Sequence, residues 1–172
     1  MKRALLAILL ISILFAACKK DQVSNDFDNS YKKWVAFKQQ SNNSYSYTAH
    51  RAYAFMGDRT ETKITVKNGK ITEREFTAWT NQPNSNVPVI AETWIENEAS
   101  LNSHNQPRAA EILTLDQVYA KAKSVWLKAN KKDNDVYFEV KNDGLISSAG
   151  YVPKGCQDDC FTGISIKEII SL

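Results

Sequence analysis

The chain has 172 residues, with 22 Lys and Arg against 19 Asp and Glu and a formal net charge of +3. That length suffices for one domain with its own core. Lys2 and Arg3 stand at the very start, so the remainder is close to neutral, which argues against a nucleic-acid binder or an acidic cation-binding polymer.

After Lys2 and Arg3, residues Ala4 to Ala17 are apolar apart from Ser12. The run is shorter than the roughly 20 residues that span a bilayer. A basic start, a short apolar stretch and small residues before a cut site mark an export signal. Ala16 and Ala17 stand directly before Cys18. This resembles the lipobox at which bacterial lipoproteins are acylated and cleaved, although Phe15 replaces the usual aliphatic residue. The resemblance implies residues 1–17 as signal peptide and Cys18 as a lipid-bearing N-terminus, with palmitate-type chains each adding about 0.8 kcal/mol of membrane affinity per buried methylene. Lys19, rather than Asp, follows it. By resemblance to lipoprotein sorting, that implies the outer membrane of a Gram-negative cell envelope, facing the periplasm or the cell surface. Residues 18–26 then read as a lipidated cysteine with a polar, flexible tether, and 27–172 as a single domain.

In 27–40, Phe27, Tyr31, Trp34, Val35 and Phe37 fall on one helical stripe, and Ser41-Asn42-Asn43 ends it. Tyr45, Tyr47, Ala49, Arg51, Tyr53 and Phe55 alternate along a strand that turns at Gly57-Asp58. Ile64 and Val66 lead into Asn68-Gly69, a strong hairpin signal because a type I′ turn needs two residues tolerant of positive φ. Ile71 should face Val66, and Phe76 falls out of phase with Ile71, so a bulge is expected near Arg74. Residues 81–110 read as a long loop region in which AETWIENEASL could be a strand or a helical turn, a length usually functional or loosely ordered. Thr114 and Gln117 form a capping box, with Leu113 and Val118 placed as a hydrophobic staple. Leu115, Val118, Tyr119, Ala122, Val125, Trp126 and Ala129 predict a helix over 114–130. Val136, Phe138 and Val140 predict a strand, Asn142-Asp143-Gly144 a turn, LISSAGYV the return strand, and Ile164 and Ile166 a last strand.

The expected fold class is therefore α+β: an antiparallel sheet with two amphipathic helices on one face. The two halves rhyme, as ITVKNGKI at 64–71 and FEVKNDGLI at 138–146 illustrate. A duplicated helix-plus-meander unit would produce this, and so would shared hairpin chemistry. The stretches YKKW, YSYT, VKNGKI and DDCFTGISI resemble a family of bacterial secreted and lipid-anchored domains of unknown function. That resemblance carries no catalytic residues. On architecture alone the pattern also resembles small periplasmic inhibitor domains.

Chemistry has few places to sit. Cys156 and Cys160 in CQDDC are the cysteines left once Cys18 is acylated, and an exported pair this close is expected to form a disulfide. Three intervening residues and no basic neighbourhood argue against redox work. His50 and His104 lack paired spacing, so no metal site and no cofactor is expected. Asp158 and Asp159 fall short of a calcium loop. No Walker loop, HExxH, GxGxxG or GxSxG motif occurs. Trp79, Trp94, His50, Arg51, Asp158 and Asp159 remain as a candidate binding surface. The leading expectation is a non-catalytic envelope module that binds a protein or glycan partner. The alternative is an enzyme, enzyme accessory or inhibitor domain with its site near His50, Arg51 and the aspartate pair. A concave pocket gathering those side chains would favour the enzyme, and a flat aromatic patch the binder.

Overall fold

A computed structural model describes residues 22–53, 58–82 and 84–172. Residues 1–17, read above as an export signal, lie outside the described residues, as do Cys18, Phe55 and Gly57.

Helix α1 covers 22–40. Phe27, Ser30 and Trp34 are buried, and Phe37 packs beside them. The buried face is narrower than the apolar stripe. Tyr31 and Val35 are exposed: Ser30 meets the Tyr119 hydroxyl at 2.8 Å, while the Tyr31 ring lies edge-on to the Tyr119 ring at 5.6 Å and keeps its outer side in solvent. The helix also reaches upstream into the stretch read as tether: Val23, one turn before Phe27, is half-buried and extends the stripe. Asn42 and Asn43 end it with φ of 49° and 52°, a left-handed conformation that Asn tolerates.

Seven strands follow, with α2 (Leu115–Ser124) between the fourth and fifth. They are β1 (Tyr45–Ala52), β2 (Arg59–Lys67), β3 (Lys70–Asn81), β4 (Pro88–Asn97), β5 (Asn134–Glu139), β6 (Ser148–Pro153) and β7 (Thr162–Ser171). They form one antiparallel sheet in the order β4-β3-β2-β1-β7-β6-β5. The fold is α+β. Each helix is followed by a meander, and the two meanders join where β1 meets β7.

The Asn68-Gly69 turn has φ of 50° and 79°, and Val66 faces Ile71 across it. The expected bulge falls at Thr72, two residues before Arg74: Ile71 pairs with Val66 and Glu73 with Thr65. This extra residue rotates Arg74, Phe76 and Ala78 onto the core face, where all three are buried.

The long loop read at 81–110 needs correction. Its middle is β4, paired along β3 from Pro88 to Asn97. The strand is hard to recognise because its core face carries Glu92, Trp94 and Glu96, and because its register slips at Ala91, between the pairs Ala78–Glu92 and Trp79–Ile90. Residues 98–113 then run back across the core face of β2, β3 and β4 as a strap.

Helix α2 has the capping box, with Thr114 accepting from the Gln117 N–H and Gln117 accepting from the Thr114 N–H. It is shorter than the predicted 114–130. The chain breaks at Val125 (φ −120°, ψ −68°) and makes a 3₁₀ turn at Trp126–Lys128. The turn still buries Trp126 while leaving Val125 exposed.

Both helices share one core with β1, β2, β6 and β7. Three buried phenols stitch it together. Tyr45 accepts the Leu115 N–H at 2.9 Å, Tyr47 donates to the Leu113 carbonyl at 2.7 Å, and Tyr119 accepts the Ile146 N–H at 3.0 Å. Burial pushes all three phenols above the usual tyrosine range, so they remain neutral donors and acceptors at any physiological pH. Asp116, in the first turn of α2, accepts from Trp34 Nε1 at 2.9 Å and Lys38 Nζ at 2.7 Å, tying α1 to α2.

Candidate binding cleft

The sheet splits at one place. β7 pairs with β6 through Thr162–Ser165 and with β1 from Ile166 onward. The β1–β7 ladder stops at Ala49–Ile166, although β1 continues to Ala52 alongside β2. Beyond that point the end of β1 and the start of β7 diverge, and a cavity of about 600 Å³ opens between them. The volume falls within the ~300–1,000 Å³ of small-molecule sites.

Small side chains make the room. Ala49, Thr60, Thr62 and Gly163 line the cleft, where larger residues would fill it. Gly163 cannot be otherwise: a Cβ there would collide with the Ala149 carbonyl and the Gly150 backbone across the β6–β7 pair, and the Phe161 ring lies against both glycines.

One wall is the strap, residues 107–111. Thr60 Oγ1 donates to the Arg108 carbonyl at 3.3 Å, and Thr62 Oγ1 accepts the Ala110 N–H at 2.9 Å. Arg74 Nη2 donates to the Ala110 carbonyl at 2.9 Å. Further along, Glu96 accepts the N–H groups of Asn102 and His104 at 2.9 and 2.6 Å, while Arg74 Nη1 stands 3.5 Å from its carboxylate. Burial raises the Glu96 pKa, but those N–H donors, the His104 ring and Arg74 outweigh it and hold the carboxyl below its usual range. The His104 ring stacks on Trp94 at 4.4 Å, and Trp94 in turn stacks on Phe76.

The other wall is the 156–160 loop. Cys156 and Cys160 lie at disulfide distance, with Cα atoms 6.4 Å apart. Asp159 takes φ of 44° at the tip of this clasp. Arg51 spans the split, donating from Nη2 to the Phe161 carbonyl at 2.9 Å. Arg51, Arg108, Asp158 and Asp159 thus put both signs of charge around one opening.

Four of the residues singled out from sequence, His50, Arg51, Asp158 and Asp159, line this cleft together with both clasp cysteines. Strand alternation directs the His50 side chain to the face opposite Arg51. Trp94 lies under the strap, and Trp79 lies on the other face of the sheet, with the Arg59 guanidinium 4.8 Å from its ring. The two tryptophans form no common surface. Sequence reasoning missed Thr60, Thr62, Arg108 and Gly163, which line the cleft, and Glu96 and Arg74, which hold its strap. Nothing local to those residues marks them; the split between β1 and β7 brings them into use. Among the described residues no three His, Cys, Asp or Glu side chains converge as a metal site, and no helix is long and apolar enough to cross a membrane.

No protein-family model, curated protein or solved structure matches the chain.

Proposed function

We propose that this chain is an envelope lipoprotein, anchored through Cys18, whose domain binds a small polar ligand or the end of an envelope glycan or peptide in the cleft between strap and clasp. The observation that carries the reading is the split itself. A sheet that stops pairing at Ala49–Ile166 leaves a lined cavity of about 600 Å³ where strand edges can offer backbone donors and acceptors.

The chemistry of the lining favours binding over catalysis. The hydroxyls of Thr60 and Thr62 hold the strap, the two sulfurs sit at disulfide distance, and the His50 ring points away from Arg51. The hydroxyls and sulfurs most able to act as nucleophiles are thus engaged in building the walls. The second reading, an enzyme or enzyme accessory, draws on the concavity and on the carboxylates of Asp158 and Asp159 at the rim.

Photocrosslinking in the living envelope tests the proposal. A benzophenone side chain at Gln157, which lines the cleft, should capture a ligand adduct on illumination. The same group at Lys63, on the opposite face of the sheet, should not. Equal capture at both positions, or none at Gln157, removes the cleft from consideration. A ligand identified from the adduct and then supplied free, if converted to product by wild type but not by Asp158→Asn, would bring the enzyme reading forward.

A further inference from the structure

The fold assembles a basic corner that the sequence scatters. Lys128 ends the 3₁₀ turn, Lys131 and Lys132 follow it, and Lys154 comes from the far end of β6. The corner is tightly tied: the Lys154 N–H donates to the Asp133 carbonyl at 2.8 Å, and Lys154 Nζ donates to the carbonyls of Lys131 and Lys132 at 2.9 and 3.1 Å. All four lysines are exposed, and among the described residues none of them takes part in an ion pair. Asp133 and Asp135 are the acids of the same segment, and Asp133 is engaged by the Asn130 side chain. Tyr137, 45% exposed, stands on the neighbouring strand. In a chain close to neutral, this is a local excess of positive charge beside an aromatic side chain.

The course of α1 relates this corner to the chain upstream. Lys33 Nζ donates to the Asp143 carbonyl at 3.2 Å, and two turns earlier the Phe27 ring meets Phe138, with centroids 5.5 Å apart. Followed toward its N-terminus, α1 therefore runs from the end of β5 toward its start, where the lysines are. Three residues, Lys19 to Asp21, separate Cys18 from Gln22, and the four Cα–Cα steps span at most about 14 Å.

We infer that the corner formed by Lys128, Lys131, Lys132 and Lys154 docks on an anionic bilayer surface. The choice of a bilayer rests on the reading of Cys18 as the lipidated residue: so short a connection holds the first turn of α1, and with it the corner, at headgroup height. Lysines near an anionic leaflet are attracted within a screening length of it, and an aromatic side chain suits the headgroup layer. The docked corner would fix how the domain stands on the membrane.

The test does not need the acyl chains. Every residue of the core lies at position 27 or beyond, so the chain from Lys19 keeps the whole core. Its co-sedimentation is measured with vesicles of phosphatidylcholine alone and of phosphatidylcholine containing one-third phosphatidylglycerol. Binding is expected to the anionic vesicles only, and to fall as salt rises from about 0.1 M to about 1 M, where the screening length drops from ~10 Å to ~3 Å. Changing Lys131, Lys132 and Lys154 together to Glu should lower the partition by about tenfold or more. Changing Lys63 and Lys67, on the opposite face, to Glu should leave the partition within about twofold. Equal sedimentation with both vesicle types overturns the inference. So does binding to soluble polyglutamate without binding to vesicles, which would assign the corner to an acidic polymer. Failure of Cys18 to take up labelled fatty acid would remove the anchor but leave the vesicle result standing, so the two readings fail separately.

Discussion

The carboxylate of Glu96 accepts the backbone N–H of His104 at 2.6 Å while lying buried beside the guanidinium of Arg74. One side chain on β4 thus fixes the start of the strap, and Arg74 fixes its later part through the Ala110 carbonyl. Removing Glu96 leaves Arg74 buried without its counter-charge. Glu96→Ala should therefore cost about 3–5 kcal/mol in a denaturant titration, with a smaller loss for Glu96→Gln.

The same residue predicts a pH dependence. The folded pKa of Glu96 lies below its unfolded value. Its contribution is then fully present above the unfolded pKa of about 4.3 and is lost as pH falls through the folded pKa. Melting temperature measured from neutral pH into acid should fall more steeply for wild type than for Glu96→Gln. Parallel curves would mean that the carboxylate carries no net stabilisation as an anion.

The 3₁₀ turn after α2 offers a second test. Trp126 is 5% exposed and belongs to the core, whereas Lys128 two residues on is exposed. Trp126→Ala should cost about 3–5 kcal/mol as a large-to-small core change. Lys128→Ala should stay within about 0.5 kcal/mol, the range of surface changes. Equal losses would mean that the turn does not present Trp126 to the core.

The clasp should be oxidised in protein taken from the envelope. The proposed export and the three residues that separate the cysteines, rather than the two of redox motifs, favour a structural bond. Serine at both Cys156 and Cys160 should lower stability by about 2 kcal/mol, the chain-entropy value for so short a loop. The clasp forms one wall of the cleft, so the double variant should also bind the cleft ligand more weakly at temperatures where it is folded. Free thiols that label in native protein would overturn the structural role.

Cys18 is tested by labelled fatty acid. Wild type should incorporate it, and Cys18→Ala should not and should stay uncut or soluble. Incorporation into the variant would place the lipid elsewhere.

Several elements were legible because a local rule sufficed. Thr114 and Gln117 announced the start of α2, Asn68-Gly69 placed the hairpin, and Ile164 and Ile166 gave β7 by alternation alone. The ends of elements were less visible. Val125 breaks α2 while the apolar periodicity continues through it, because the 3₁₀ turn buries Trp126 by another route. β4 is ambiguous in sequence between a strand and a helical turn because tertiary contacts, not alternation, make its inward Glu92 and Glu96 acceptable: Arg74, Arg108, Gln106 and the strap amides neutralise or satisfy them. The cleft was half legible. Arg51 and the aspartate pair stood out as polar groups near a cysteine loop. The split between β1 and β7 that gathers them is a long-range pairing change with no local signature, as is the meeting of Lys154 with Lys131 and Lys132.

Amide hydrogen exchange tests the cleft most directly, because it reads both walls at once. Exchange is followed in the purified protein with and without the small-molecule extract of the envelope. The proposal predicts slower exchange in the strap at 107–111 and in the segment 156–165, together, with the Asn68-Gly69 hairpin unchanged. Protection confined to one wall, or exchange unaltered at both by every extract fraction, would contradict it.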